Sequence, residues 1–387
     1  MAILAQTPPM GFNTWNTFGP NINEQMLMEI TDVMVEQGYR DAGYEYVVID
    51  DCWSLRERDE DGNLVADPEK FPHGMKYVAD YIHSKGLKFG MYSCAGVRTC
   101  AGYPSSFDHE FQDARLFASW GVDFLKYDFC NFPRYANCKH RYLTMAQALR
   151  ASGRDILFSA CNWGVEEPWN WMRSIGAHMY RSTWDINDTY PSTVGIMNNQ
   201  MNNFNANAAG CFNDMDMLTV GMNGNGNVGT DNCNVNNDNC NHYTEYALEF
   251  AYWCFCGAPL MMGADLRKVD EEYRVLLQNK ELIRLNQDAE CRPPYRVRED
   301  NGYHVFIRHL ADGEFAIGVF NFHQDPRHAE ITFAELGVPV NAGVKLTLTD
   351  VITGEVIAPK KDDLFVAVPG HSCKIFRARF VRDRKRY

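Results

Sequence analysis

Three features of the sequence predict a (β/α)8 barrel followed by an antiparallel β-sandwich. Through about residue 290, short runs rich in aromatic and β-branched residues alternate with amphipathic helical stretches. Acidic, amide and aromatic residues recur just after those apolar runs. From residue 292 onward, closely spaced strand patterns are separated by turn residues, with no helical periodicity between them.

Strand and helix repetition at this spacing implies parallel strands with right-handed crossovers, in a closed barrel or an open doubly wound sheet. No G-x-G-x-x-G follows the first strand, and polar chemistry recurs at many strand ends, so the barrel is favoured. The first strand leads into Trp15, and the next four are expected over 44–50, 88–93, 123–129 and 155–161. A sixth is expected over 178–183 and a seventh near 213–217. Between them, Met26, Ile30, Val33 and Met34 share one helical face before Gly38, and Met75, Val78, Ala79 and Ile82 share one before Gly86. Each glycine suits a helix C-terminus. The sandwich strands are expected over 303–310, 314–322, 328–333, 344–351, 364–368 and 371–380, with turns at Asp312-Gly313 and Thr353-Gly354. The division is therefore 1–291 for the barrel and 292–387 for the sandwich. No Gly/Ser linker separates them, which predicts rigid docking.

Composition narrows the function. A balance of 37 basic against 50 acidic residues, net −13, argues against nucleic acid or an anionic membrane as partner. The run 250–264 is too short to span a bilayer and contains Gly257 and Pro259, so no membrane partner is expected. No charged residue precedes Glu24, so the start lacks the basic region of a signal peptide. That predicts a cytoplasmic protein, or a secreted one if a leader has been removed. Residues Arg377, Arg379, Arg382, Arg384, Lys385 and Arg386 read as a solvated basic end.

Thirteen cysteines is an odd number at ordinary density, unlike the disulfide framework of a small secreted domain. Most are expected to be free and buried. Cys254 and Cys256 would face one way on a strand without further ligands at metal spacing, so neither metal nor cofactor is expected. Cys233 and Cys240 could close a loop disulfide. They lie in the segment 221–241, whose nine asparagines and four glycines read as a surface insertion, a lid, an oligomer contact or, least, a calcium loop. A homo-oligomer remains open.

The chemistry concentrates at the strand ends. Lys126 and Asp128 are two apart, so on a strand they point to one face, where the ammonium would hold the carboxylate ionised. This is either a nucleophile with its cation or a structural ion pair. Asp50-Asp51-Cys52-Trp53 offers paired carboxylates for vicinal hydroxyls beside an aromatic face, if the strand breaks there into a loop; alone it could equally be a metal or solvated pair. Trp15, Tyr92, Asn162-Trp163, Arg181 with Asp185, and Asp216-Met217 occupy the corresponding ends of other strands. So many carboxylates at one rim would repel one another unless a polar ligand or cations used them.

PPMGFNTWN, VVIDDCW, FGMYSCAGVRTCAGYPSSF, ASWGVDFLKYDFCN, RSTWD, NDMDML, APLMMGADLR and IRLNQD resemble, in order and spacing, glycoside hydrolase family 27, the α-galactosidases and α-N-acetylgalactosaminidases. The resemblance covers about 7–290 and implies retaining hydrolysis of a terminal α-linked galactose-type sugar from a small-molecule carbohydrate. It implies Asp128 as nucleophile and Asp185 as acid then base, with Asp188 a rival at the wrong spacing. Asp185 should then have a raised pKa while Lys126 keeps Asp128 anionic. The implied sugar contacts are Trp15, Asp50, Asp51, Tyr92, Lys126, Arg181, Asp216 and Met217. Two aspartates at 50 and 51 leave room for the galactose hydroxymethyl, unlike the β-L-arabinopyranosidase relatives. Asn162 and Val165 fit neither the galactosidase nor the N-acetylgalactosaminidase pattern. They are expected at the 2-position pocket, Asn162 bonding a hydroxyl and Val165 excluding an acetamide. The family's disulfide falls on Cys100 and Cys130; Cys52 and Cys94 pair or remain thiols. An inactive sugar-binding barrel is the alternative from another class.

Overall fold

A computed structural model of the chain describes residues 4–203, 206–229, 241–300, 302–339 and 341–383. Eight parallel strands form one sheet: β1 (Met10–Asn13), β2 (Tyr46–Val48), β3 (Lys88–Cys94), β4 (Phe124–Asp128), β5 (Leu157–Ala160), β6 (Met179–Arg181), β7 (Phe212–Asp214) and β8 (Leu260–Met262). Their order runs from β7 down to β1 and on to β8. Closure comes just past β7, where Leu218 pairs in parallel with Met262 and its N–H donates to the Met261 carbonyl at 2.8 Å. The chain reaches Leu218 through a kink at Asp216, whose φ is +85°. Helices cover the outside, so the strands are buried on both faces and read as apolar runs. The expected helical faces are those that pack: Met26, Ile30 and Met34 of Glu24–Glu36, and Met75, Val78, Ala79 and Ile82 of Gly74–Ser84, are buried. Asn23 caps the first of these by accepting from the Met26 N–H.

Eight further strands follow: β9 (Tyr295–Asp300), β10 (Tyr303–His309), β11 (Phe315–Asn321), β12 (Arg327–Ile331), β13 (Val344–Asp350), β14 (Val356–Lys360), β15 (Leu364–Val368) and β16 (Ser372–Arg382). Six make an antiparallel sheet in the order β14-β13-β16-β11-β10-β9, and β12 pairs with β15 across from it. β9 and β14 were not in the sequence pattern, because both are largely exposed and carry charge or proline in place of alternation. β10 is buried as far as Arg308 and β11 throughout, and period-two alternation sends their side chains to two different cores. Val305, Ile307, Ile317 and Val319 fill the sandwich core, whereas Phe306, Ala316 and Phe320 join the barrel's core. Gly318 faces the barrel, and a Cβ there would lie 2.8 Å from the Phe255 ring.

Several expectations are corrected. Cys254 and Cys256 sit in the last turn of the helix Tyr243–Cys256, not on a strand. Of the two outcomes left open for Cys52 and Cys94, the structure has the second, buried thiols. Arg377 is no solvated end: on β16 it bonds to Glu314 within the sandwich and to Glu281 across the seam with the barrel. Cys233 and Cys240 lie outside the described residues. Among the described residues no helix is long and apolar enough to cross a membrane.

Candidate active site

Parallel registry puts reactive side chains at one end of the barrel, where the strands hand over to their loops. Tyr92 lies beside Lys126 and Cys94 beside Asp128 on neighbouring strands. These ends surround a cavity of about 220 Å³. Trp15, Asp50, Asp51, Tyr92, Lys126 and Asp128 line it from β1 to β4, and Arg181, Asp185, Asp216 and Met217 from β6 and β7.

Lys126 does point inward with Asp128, but its ammonium bonds elsewhere. It donates to Asp50 Oδ2 at 2.8 Å, the oxygen that also accepts from Asn13 Nδ2 at 2.8 Å. Strand β2 ends at Val48, so both Asp50 and Asp51 stand in the loop and both reach the cavity. Asp51 is held by backbone, accepting from the N–H groups of Cys52 at 2.7 Å and Ala101 at 2.8 Å. Burial raises its pKa, partly offset by those two donors. Lys126 stays a cation: burial works against its charge, and the Asp50 carboxylate more than restores it.

Asp128 is 5% exposed and accepts from the Phe129 N–H at 2.8 Å. Burial pushes its pKa up to about 6, against the lowering by Lys126, while the Asp185 charge adds to the rise. This corrects the expectation that Lys126 keeps it firmly ionised: desolvation outweighs an ammonium already paired to Asp50. Asp185 is corrected in the opposite sense. Its side chain is 69% exposed at the cavity mouth, and although partial desolvation raises its pKa, the Arg181 guanidinium, bonded at 2.7 Å, brings it below the usual value. Arg181 also donates to Asp216 Oδ1 at 2.8 Å, while Asp216 Oδ2 accepts from the Ile186 N–H at 2.7 Å. Burial raises Asp216 despite that guanidinium, and the two carboxylates compete for one cation.

Two sequence-predicted residues are absent from the lining. Asn162 is fully buried, and its amide donates to the Val165 carbonyl while the Val165 N–H donates back to Asn162 O at 2.9 Å. The turn takes up the amide nitrogen of the side chain meant for a sugar hydroxyl, and neither Asn162 nor Val165 lines the cavity. Asp188, the rival acid, is also fully buried and away from the lining. It accepts from Tyr246 Oη, Asn241 Nδ2 and the Gly224 N–H, fastening both ends of the asparagine-rich segment.

Sequence reasoning missed Trp163 and Trp184 as a pair, and Val228 of the asparagine-rich segment; all three line the cavity. The signal for Val228 was its isolated apolar character among asparagines. A disulfide joins Cys100 and Cys130, the pairing the resemblance implies, and it too forms cavity wall. Its sulfurs and an Asp128 carboxylate oxygen all lie within 4.8 Å of one another, and Tyr92 Oη donates to Cys100 Sγ at 3.2 Å.

Known proteins share this arrangement. Residues 7–288 match the family described as alpha galactosidase A, and residues 300–378 match the alpha galactosidase C-terminal beta sandwich domain. An α-galactosidase of Cyamopsis tetragonoloba is 38% identical over 374 residues, 96% of this chain and 86% of that protein. The crystal structure of α-galactosidase I from Mortierella vinacea superposes with a TM-score of 0.89 at 30% identity, covering 97% of each chain. An α-galactosidase of Saccharomyces cerevisiae, solved with raffinose, gives 0.86 at 27% identity over 97% of this chain and 98% of its own. With its barrel, its sandwich and its acid-lined mouth, this chain belongs to glycoside hydrolase family 27, the α-galactosidase family.

Proposed function

We propose that this α-galactosidase is a retaining exo-enzyme that removes terminal α-linked galactose from oligosaccharides or glycoconjugates. The observation that carries the reading is that Asp128, at the end of β4, and Asp185, in the loop after β6, line one cavity, and the charge of Asp185 reaches Asp128. Galactose binds with vicinal hydroxyls on Asp50 and Asp51, further hydroxyls in reach of Lys126 and Asp216, and its apolar face on Trp15. Tyr92 and Met217 complete the wall. Raffinose, an α-galactoside, is the sugar seen with the yeast relative, and the aspartates at 50 and 51 suit a sugar carrying C6.

Asp128 Oδ attacks the anomeric carbon as the bond to the leaving oxygen breaks, and Asp185 gives that oxygen its proton. Water then loses a proton to Asp185 and takes the anomeric carbon from Asp128. For the first step Asp185 must be protonated and Asp128 ionised, the reverse of what their free environments favour. Substrate entry resolves the conflict. A glycosidic oxygen that draws Asp185 away from Arg181 removes what lowers its pKa, and a proton on Asp185 removes a charge that adds to the effect of burial on Asp128, leaving Lys126 and the Phe129 N–H to favour its anion.

The Cys100–Cys130 disulfide favours an oxidising compartment over the cytoplasmic placement expected from the first residues. Proton NMR of p-nitrophenyl α-galactoside hydrolysis tests the reading: α-galactose appears first, and the β-anomer grows in only by mutarotation. Initial release of the β-anomer would show that Asp128 is not the nucleophile.

A further inference from the structure

We propose that Trp184, stacked on Trp163, is the platform for the sugar next to galactose, holding it both as leaving group and as acceptor. The inference rests on the roles given above to Asp128 and Asp185. All eight tryptophans lie among the described residues, and Trp184 alone is exposed, at 68%. Single exposed apolar side chains are ordinary. This one stands directly before Asp185 in sequence and lines the cavity mouth, the side from which the leaving group departs.

The pair is built rather than incidental. The two indoles stack with centroids 5.7 Å apart and planes 27° from parallel, and the Phe129 ring closes edge-on against Trp163 at 5.9 Å. Trp163 holds a left-handed φ of +55°, a conformation that costs free energy in a residue with a side chain. The next residue, Gly164, lets the loop after β5 touch the loop after β6: a Cβ there would lie 2.6 Å from the Ser182 carbonyl oxygen. The Gly164 N–H also donates to the Arg181 carbonyl at 3.2 Å. Two loops are thus locked so that a broad aromatic face remains open beside the catalytic acid. Such a face fits the apolar side of a pyranose ring, glucose for example, with its hydroxyls left in water.

A site that receives the departing sugar also presents an acceptor. An acceptor hydroxyl held there gives its proton to Asp185 as its oxygen takes the anomeric carbon, and the electrons of the Asp128 ester bond return to the carboxylate. Transfer and hydrolysis then share Asp128 and Asp185 and differ only in what occupies the platform.

With α-galactosyl fluoride as donor and glucose as acceptor, chromatography gives the ratio of galactosyl-glucose to free galactose. Wild-type enzyme is expected to form the disaccharide, Trp184→Ala to lower the ratio about tenfold, and Trp184→Phe to recover most of it. Damage to Asp185 would slow both products and leave the ratio alone. An unchanged ratio in Trp184→Ala, or no transfer by the wild type, overturns the platform. Failure of the wild type to release fluoride at all would instead overturn the proposed function.

Discussion

Among the described residues two arginines are buried, one at the mouth of the barrel and one at its seam with the sandwich, and their partners differ in kind. Arg181 is met by the carboxylates of Asp185 and Asp216. Although burial disfavours its charge, those anions raise its pKa well above the ordinary value. Arg308 is met by carbonyls only: Nη1 donates to Cys254 and Phe255 at 3.1 and 3.0 Å, and Nε to Arg292 at 2.8 Å. It forms no ion pair among the described residues, and burial lowers its pKa despite Asp288. The carbonyls of Cys254 and Phe255 end the helix Tyr243–Cys256, so a cation there completes the helix dipole and ties β10 to the barrel. Buried charge by itself therefore does not mark a functional site. Carboxylate partners give a cluster whose protons can move; carbonyl partners give a fastening.

Replacing each arginine by methionine breaks the comparison most directly. Arg181→Met frees Asp185 and Asp216 from their common cation, and kcat/KM on p-nitrophenyl α-galactoside should fall by roughly 10²–10³-fold through misplaced acid and sugar contacts. Arg308→Met strips the guanidinium from the carbonyls of Cys254, Phe255 and Arg292, of which Cys254 keeps the Gly257 N–H, at a cost of about 2 kcal/mol in stability. Its melting temperature should drop while the folded enzyme keeps wild-type kcat/KM. A large kinetic loss in Arg308→Met, with its stability intact, would abolish the distinction.

What was legible in the sequence follows the same division. Strand positions and their order around the barrel were legible because runs buried on both faces are apolar without interruption, as in Tyr46–Val48. Sharing of a rim was legible too, since it follows from strand ends. The partner of Lys126 was not: spacing suggested Asp128, two residues away, yet the ammonium bonds Asp50, 76 residues away. Local periodicity fixes a side chain's face, whereas its hydrogen bond depends on distant loops. The protonation order of Asp128 and Asp185 was hidden for a related reason. Desolvation depends on what packs around a group, and neither the burial of Asp128 nor the exposure of Asp185 can be read from its neighbours in sequence.

That order can be tested with smaller expected effects. In Asp185→Ala, an aryl galactoside with a very good leaving group needs no acid, so kcat/KM reports the ionisation of Asp128 alone. Asp128 acts as the anion, and its raised pKa means that it takes up a proton while the pH is still near 6. Activity should thus be level at higher pH and fall about tenfold per unit below a midpoint close to 6, shifted slightly down by loss of the Asp185 charge. The basic limb of the wild-type profile should vanish. A midpoint below 4 would mean that Lys126 overcomes desolvation after all.

The smallest effect is expected where sequence and structure disagree about a binding residue. The sequence pattern places Asn162 and Val165 against the sugar's 2-position, which would make Asn162→Ser with Val165→Ala admit an acetamide and favour α-N-acetylgalactosaminides. In the structure Asn162 is fully buried with its Nδ2 bonded to the Val165 carbonyl within its own turn, and Trp163 takes the place at the cavity. Loss of that internal bond loosens the turn by about 1 kcal/mol without opening room beside the sugar. The ratio of specificity constants for the galactoside and the N-acetylgalactosaminide should therefore stay within about threefold of wild type, because discrimination changes only when a contact that differs between the two substrates changes. A shift of tenfold or more toward the N-acetyl sugar would mean that the turn opens in the working enzyme and that Asn162 reaches the substrate. In that case this turn would belong with Arg181, among the groups that act on the ligand, and not with Arg308, among those that only hold the chain.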